Sequence, residues 1–250
     1  MTTNPTFAIA LPTYREEENI ANLIEQIYQN LPQSIIIIVD DSPDNKTVEV
    51  AKSAFAKISK IGFDLKNGII EKRSGKLGRV SATFHAMRQA YAMNIDYVIE
   101  MDTDLSHPPA QLQELYKIAT STKVDLIICS RDVKGGKIDG WPLSRHILHF
   151  AANEACRQIL RIGIRDYMNA YRLYSRKAVN IALTKCGKIS TGFWAFGEIL
   201  ANLKNDNCTI KEIPTHFTNR IKGQSNVSFK VILGCFFELI QVFFLLRKLK

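Results

Sequence analysis

The sequence predicts an α/β fold with a mostly parallel sheet flanked by helices. Up to about residue 131, short β-rich apolar runs alternate with longer stretches of helical period, which is typical of strands joined by crossover helices. The length of 250 residues and the 46% hydrophobic content suffice for one large domain with a full core. Each apolar run also leads directly into polar residues, and ligands of open α/β sheets bind beyond the carboxyl ends of the strands.

The predicted elements divide the chain into a regular first half and a less regular second half. In the first half we expect strands at residues 7–11, 35–39, 68–72, 97–101 and 126–129, with a helix at 77–91. Gly135 and Gly136 then favour a mobile loop. Beyond it we expect a helix from 141 to about 160, a strand at 171–174, a helix at 192–203 and a strand at 209–217.

The C-terminal segment, residues 231–250, differs in composition from the rest of the chain. Residues 231–246 are apolar except for Glu238 and Gln241, and basic residues follow them. This run is shorter than the roughly 20 residues that span a bilayer. We therefore expect a domain at 1–230 and an amphipathic, apolar C-terminal helix at 231–250 that lies on an anionic membrane surface. The alternative is a terminal helix docked in the protein's own core.

Net charge and cysteine content indicate which binding partners and which cellular compartment to expect. The 33 Lys and Arg against 24 Asp and Glu give a net charge of +9, which favours anionic partners such as nucleotides, lipid phosphates or acidic membrane. No recognisable nucleic-acid-binding module occurs, so we expect no nucleic acid partner. Five widely spaced cysteines without a zinc pattern indicate reduced, mostly buried thiols. Without a signal sequence at residues 1–5, we expect the domain at the cytoplasmic face of a membrane.

Asp102 and Asp104 flank Thr103 directly after a predicted strand, forming a DxD motif. Two carboxylates so placed can share Mg²⁺ or Mn²⁺ with a diphosphate, because these cations prefer oxygen ligands. An acidic pair alone is weak evidence, since such pairs are often solvated turns or helix caps. Residues 12–16 and 40–44 add two further acidic strand ends, and together the three predict a nucleoside pocket.

An ordered set of motifs resembles one enzyme family. Residues 11–20 (LPTYREEENI), 39–44 (VDDSPD) and 100–109 (EMDTDLSHPP) are similar to the dolichyl-phosphate mannose synthase branch of the family 2 glycosyltransferases, which have the GT-A fold. The similarity continues through residues 130–131, 135–136, 141–145 (WPLSR), 171–174 (YRLY) and 220–225 (RIKGQS). It covers nearly the whole chain up to about residue 230.

The resemblance implies a role for each matching residue. The nucleotide-sugar site would comprise Pro12, Tyr14, Glu16, Val39, Asp41, Asp102 and Thr103, with Arg220 and Lys222 closing on the diphosphate. Asp104 would bind the metal together with Asp102 and Ser106. Arg131, Arg145 and Arg172 would hold the phosphate of the lipid acceptor, since guanidinium groups suit phosphate oxygens.

Three positions depart from the family pattern. Ser106 stands where the family often has Gln, which leaves the third metal ligand open. Asn169-Ala170-Tyr171-Arg172 replaces the common Ser-Gly-Phe-Arg, and Asn226 replaces a usual Lys. Ser106 and Asn226 keep open the alternative of a non-catalytic membrane subunit that binds nucleotide sugars.

Other candidate site residues have weaker support. Residues 72–79 are basic and glycine-bearing but lack phosphate-loop spacing; Arg73 and Lys76 either reach the nucleotide or form a solvated turn. We expect His107 to brace the metal loop. For His146 and His149 no carboxylate partner is evident in the sequence, which favours packing or capping.

The implied activity is the inverting, metal-dependent transfer of mannose from GDP-mannose to a polyprenyl (dolichyl-type) phosphate. No general base is needed, because a phosphate monoester is already ionised at neutral pH. UDP-glucose or another nucleotide sugar remains an alternative donor, and a membrane-anchoring subunit is a possible partner.

Overall fold

The computed structural model describes residues 4–187 and 195–219. Its strands are β1 (Phe7–Thr13), β2 (Ile35–Asp40), β3 (Gly68–Lys72), β4 (Tyr97–Glu100), β5 (Leu126–Ser130), β6 (Lys137–Asp139), β7 (Arg172–Ser175), β8 (Ile210–Pro214) and β9 (His216–Thr218). Its helices are α1 (Ile20–Asn30), α2 (Lys46–Ser59), α3 (Arg79–Ala92), α4 (Leu112–Ser121), α5 (Leu143–Leu160), α6 (Arg176–Lys185) and α7 (Ala195–Asn205).

The main sheet has seven strands in the order β3-β2-β1-β4-β7-β5-β8. All neighbouring pairs are parallel except those of β7, which runs antiparallel to both β4 and β5. Strands β6 and β9 form a separate parallel pair. The strand order reverses between β1 and β4, and the carboxyl ends of strands at such a switch point border a crevice.

Two apolar layers cover the two faces of the sheet. Successive side chains of a strand point to opposite faces, so Ala8 and Ala10 contribute to one buried cluster and Phe7, Ile9 and Leu11 to the other. Helices α3, α6 and α7 pack on the first face, whereas α1, α2 and α4 pack on the second. The predicted mostly parallel sheet flanked by helices is thus confirmed.

The second half contains elements that the sequence did not predict. Helix α6 begins directly after β7, where the Ser175 hydroxyl accepts a hydrogen bond from the Ala178 amide and caps the helix. The predicted strand at 209–217 is two strands, β8 and β9, in different sheets. Gly135 and Gly136 form a tight turn against the Arg131 carbonyl, where a Cβ on Gly136 would lie 2.6 Å from that oxygen.

Four of the cysteines and all seven named helices lie in the described ranges. Cys129, Cys156, Cys186 and Cys208 are buried and free, as predicted. No helix among the described residues has the length and apolar character to cross a membrane. The predicted C-terminal helix and domain boundary at 230–231 lie outside the described residues, as do Cys235 and Asn226.

Candidate active site

A cavity of about 340 Å³ lies at the carboxyl ends of β1 and β4. Most of the predicted site residues line it: Pro12, Tyr14, Glu16, Asp41, Asp102, Thr103, Asp104, Arg131 and Arg145. These side chains come from segments far apart in sequence. The topology therefore brings the acidic strand ends and two of the predicted arginines to one space.

The acidic motif is held in a tight loop after β4. The Asp102 amide donates to His107 Nδ1 at 3.0 Å, and the Ser106 amide donates to Asp104 Oδ1 at 3.1 Å. Between them Leu105 has a φ of 62°, a left-handed conformation that costs a non-glycine residue about 1 kcal/mol. Burial lowers the pKa of His107, and the carboxylates of Asp102 and Asp104 oppose this only in part. A neutral His107 can accept the Asp102 amide hydrogen and brace the loop.

The donor atoms of this loop suit a hard divalent cation. Asp102 and Asp104 both line the cavity and offer carboxylate oxygens, the ligands that Mg²⁺ and Mn²⁺ prefer. Ser106 is not among the lining residues. Its buried hydroxyl has no hydrogen-bond partner within the described ranges, so its part in metal binding stays a prediction.

Asp41 is bonded to the basic loop that follows β3. Its carboxylate accepts from Arg73 Nε at 2.7 Å and Nη2 at 2.8 Å, and from the Leu77 and Gly78 amides at 2.9 and 3.2 Å. Of the two basic side chains considered from the sequence, Arg73 thus secures the loop. Lys76 lines the cavity, with its ammonium 4.2 Å from the centre of the Tyr14 ring.

Arg131 also lines the cavity and is fixed by Asp166. The Arg131 Nε and Nη2 atoms donate to Asp166 at 2.8 and 2.9 Å, and the Arg131 amide donates at 3.0 Å. Burial alone would raise the pKa of Asp166, but the charge and hydrogen bonds of Arg131 outweigh it, so the pKa lies well below its usual range. Such a paired, buried guanidinium has little freedom to reorient.

Trp141 contacts both Arg131 and Arg145. The Arg145 guanidinium carbon is 4.0 Å from the indole centroid and that of Arg131 is 5.4 Å away. Arg145 also donates to Asn219 Oδ1 at 3.4 Å. Cations over an aromatic face are attracted to its quadrupole, and Trp141 thereby helps align both side chains.

His149 does have a carboxylate partner, contrary to the sequence-based expectation. Its Nε2 lies 2.9 Å from Asp132 Oδ1, and Asn153 Nδ2 donates to the same carboxylate at 3.0 Å. Asp132, His149 and Asp166 offer ligand atoms within 4.8 Å of one another and could hold a cation. Each carboxylate, however, is already paired with a protein group, so we interpret the cluster as support for Arg131 rather than as a metal centre.

Within the described ranges, Val39 and Arg172, like Ser106, are not among the residues that line the cavity. Val39 is fully buried in the core, and Arg220 and Lys222 lie outside the described residues. Arg172 is 0% exposed and donates to the carbonyls of Asn169 and Tyr167, both at 2.7 Å. Its described contacts brace this loop, and Arg172 is not among the residues that line the cavity. The phosphate role of Arg172 stays a prediction.

Two residues that line the cavity or bond to its side chains were not singled out from the sequence. Asp166 and Arg79 were both missed, although Arg79 lines the cavity and its Nε donates to Asp102 at 2.8 Å. Burial alone would lower the pKa of Arg79, but Asp102 and Glu100 outweigh it and raise the pKa. The basic run at residues 72–79 held the signal for Arg79, while Asp166 sits in no recognisable motif.

Comparison with known proteins decides the family. Residues 8–181 match the family described as Glycosyl transferase family 2. The chain belongs to this family. It is 29% identical to polyprenol monophosphomannose synthase from Mycolicibacterium smegmatis over 234 residues, which is 93% of this chain and 85% of that protein. It is 28% identical to undecaprenyl-phosphate mannosyltransferase from Micrococcus luteus, over 87% of this chain and 86% of that protein.

Solved structures of another glycosyltransferase share the fold of this family 2 member. Glucosyl-3-phosphoglycerate synthase from Mycobacterium tuberculosis, in complex with Mn²⁺, UDP-glucose and phosphoglyceric acid, superposes with a TM-score of 0.67 at 15% identity, covering 96% of this chain and 80% of that one. The same enzyme with Mn²⁺, UDP and glucosyl-3-phosphoglycerate gives a TM-score of 0.65 at 14% identity, covering 95% and 80%. The predicted GT-A fold is confirmed.

Proposed function

We propose that this glycosyltransferase moves mannose from GDP-mannose to a polyprenyl phosphate, with inversion and with Mg²⁺ or Mn²⁺. The observation that carries the proposal is one cavity lined by acidic residues, by Tyr14 and by the two arginines Arg131 and Arg145. The names of the two relatives, a polyprenol monophosphomannose synthase and an undecaprenyl-phosphate mannosyltransferase, support the choice of sugar and acceptor.

The acidic residues of the cavity suit the nucleotide-sugar donor. Tyr14 offers a ring for a base, while Asp102 and Asp104 offer oxygens for a cation shared with a diphosphate. A cation held by these carboxylates would neutralise charge on the departing nucleoside diphosphate. The structure of glucosyl-3-phosphoglycerate synthase bound to Mn²⁺ and UDP is of this fold, which supports a metal-dependent nucleotide site.

Two arginines of the cavity suit the phosphate of the lipid acceptor. Arg131 and Arg145 line the cavity and are aligned on Trp141, and guanidinium groups bind phosphate oxygens in a fixed geometry. In the reaction, an acceptor phosphate oxygen forms a bond to the anomeric carbon of mannose. The bond from that carbon to the diphosphate breaks, and the diphosphate leaves with the electron pair. Since the attacking oxygen is already ionised, the protein's part is positioning and charge stabilisation.

We also propose that the enzyme works at the cytoplasmic surface of a membrane. Leu143, Ile147 and Phe150 are 75, 61 and 65% exposed on α5, and their spacing puts them on one face. The same helix carries Arg145. An exposed apolar face next to the acceptor arginines suits a lipid whose phosphate must enter the cavity while its chain stays in the bilayer. A membrane-anchoring subunit remains a possible further partner.

A transfer assay tests the substrates. Purified protein with Mn²⁺ or Mg²⁺ and a polyprenyl phosphate receives labelled GDP-mannose or UDP-glucose, and label extracted into organic solvent is counted. We expect metal-dependent label from GDP-mannose. Label from UDP-glucose alone would keep the mechanism and change the donor. Metal-dependent donor binding without lipid product would select a non-catalytic binding subunit.

Variants test the residues. Asp104→Ala and Arg145→Ala should each reduce transfer by about 100-fold, the effect of removing one charge-stabilising group. Arg88→Ala is the matched control, because Arg88 is exposed on α3 and does not line the cavity. Full activity of both cavity variants at saturating substrate would contradict the assignment.

Vesicle sedimentation tests the membrane surface. Replacing Leu143, Ile147 and Phe150 with Ser should reduce binding to anionic vesicles, whereas Ile61→Ser should not. Ile61 is 69% exposed, similar to the residues on α5, but lies after α2. Equal loss in both variants would argue against a membrane role for the α5 face.

A further inference from the structure

Arg79 places a positive charge inside the acidic end of the cavity. It is the first residue of α3, and its Nε donates to Asp102 Oδ1 at 2.8 Å while its Nη1 donates to Glu100 Oε1 at 2.7 Å. Its side chain is 29% exposed. The guanidinium therefore connects a carboxylate of the cavity to one in the core.

Glu100 anchors this arrangement. It is 1% exposed, and its two oxygens also accept from the Thr83 hydroxyl and the Tyr174 hydroxyl, each at 3.1 Å. Separating a buried carboxylate from a cationic partner is costly, so Arg79 stays close to Glu100. The charge next to Asp102 is thus a permanent part of the site.

The remaining nitrogen of Arg79 is incompletely satisfied. Its Nη2 atom is buried and has no hydrogen-bond partner among residues 4–187 and 195–219. A buried N–H group without an acceptor is unfavourable, and an oxygen of a bound ligand would relieve that cost. A diphosphate at the neighbouring carboxylates would bring such oxygens.

We propose that Arg79 is a donor-site cation that opposes metal binding at Asp102 and favours binding of the diphosphate. A guanidinium bonded to Asp102 repels a divalent cation approaching the same carboxylate and attracts the anionic diphosphate. The metal is then held weakly until the nucleotide arrives. This inference rests on the proposed function for its ligand, a nucleoside diphosphate.

Two binding measurements on the full chain test the inference without any transfer reaction. Isothermal titration calorimetry measures Mn²⁺ alone and, in metal-free buffer, GDP alone. Arg79→Gln keeps a hydrogen-bond donor but removes the charge. We expect it to bind Mn²⁺ about 10-fold more tightly and GDP about 10-fold more weakly, within the range of typical coupling between sites. Opposite signs are the diagnostic, because general damage would weaken both.

Controls separate charge from packing. Arg79→Lys keeps the charge and should leave the Mn²⁺ affinity within about threefold of that of the unsubstituted protein. Its GDP affinity should fall less than that of Arg79→Gln, because the ammonium keeps the charge but lacks the third nitrogen of the guanidinium. Thr83→Val removes another hydrogen bond to Glu100 and should change neither affinity. If Arg79→Gln does not fold, the double variant Arg79→Gln, Glu100→Gln leaves no unpaired buried charge and should show the same opposite shifts.

Each outcome has one meaning. If the affinities for Mn²⁺ and GDP change in the same direction, or do not change, in the folded Arg79→Gln variant, the inference is overturned. A parallel titration with UDP separates it from the donor assignment, because binding of UDP but not GDP would change the donor and leave the test of Arg79 intact. If the unsubstituted protein binds neither nucleotide, both the inference and the proposed function fail.

Discussion

The pairing of Arg131 with Asp166 makes the first prediction. The Asp166 carboxylate accepts three hydrogen bonds from Arg131 and one each from the Met168 and Asn169 amides, at 3.2 and 3.0 Å. Asp166→Asn keeps the shape of the side chain but removes its charge. It also replaces one accepting oxygen with an NH₂ group, which faces hydrogen-bond donors. Breaking a buried ion pair costs about 3–5 kcal/mol. Because Asn retains one carbonyl, we expect a loss of about 3 kcal/mol.

Urea denaturation followed by circular dichroism measures the free energy of unfolding. The predicted loss depends on pH, because a carboxyl with a lowered pKa in the folded state stabilises the protein above its unfolded pKa. The difference between the two proteins should be complete above about pH 5 and shrink as the pH falls below about 4, the unfolded pKa of Asp. The same variant should raise the KM for the acceptor phosphate, because Arg131 loses its fixed position.

The double variant Arg131→Met, Asp166→Asn is the control for specificity. Once the guanidinium is gone, replacing Asp166 should cost less than it does alone, so the two changes should be non-additive. A loss below about 1 kcal/mol for Asp166→Asn, or a loss independent of pH from 3 to 7, would refute a buried, charge-paired Asp166.

Three further predictions follow from the same structure. Arg172→Leu should lower the free energy of unfolding by about 3 kcal/mol, because two buried carbonyls lose their donors. It should leave the KM for the acceptor unchanged. A raised KM in a stable variant would support the phosphate role. Trp141→Leu should raise the KM for the acceptor about 10-fold through the loss of cation–π contacts. Trp141→Tyr should restore most of the acceptor affinity. An unchanged KM in Trp141→Leu would show that the arginines align without the indole ring. Burial raises the pKa of Cys156 to about 12, so iodoacetamide at pH 8 should leave Cys156 unmodified in the native protein and label it in urea, as read by peptide mass spectrometry; native labelling would contradict its burial.

Local pattern was enough to predict the first half of the fold and the acidic side of the cavity. The five predicted strands of that half correspond to β1–β5, because buried parallel strands appear as short apolar runs. The positions of Asp41, Asp102 and Asp104 at strand ends then follow from topology. These residues depend on their immediate neighbours in sequence, which is why the sequence sufficed.

Contacts between distant residues could not be predicted in the same way. Arg131 and Asp166 are 35 positions apart, and Arg79 and Asp102 are 23 apart. Nothing in either segment identifies its partner. The hydrogen bonds of Arg172 to the Asn169 and Tyr167 carbonyls were likewise not predicted, because a motif records that an arginine is present but not which way it points. The antiparallel direction of β7 also depends on the connection through α5 rather than on its own residues.

The position of β7 has a consequence for how the chain is made. Among the described strands, β5 pairs with β7 and β8, both of which follow it by more than 40 residues, and β4 has β7 on its outer edge. During synthesis, the β4 edge and the whole of β5 therefore wait unpaired until residues 172–175 have left the ribosome. Unpaired strand edges are prone to aggregation. Nascent chains that stall between β5 and β7 should accordingly need chaperones, and fragments ending there should not yield soluble protein.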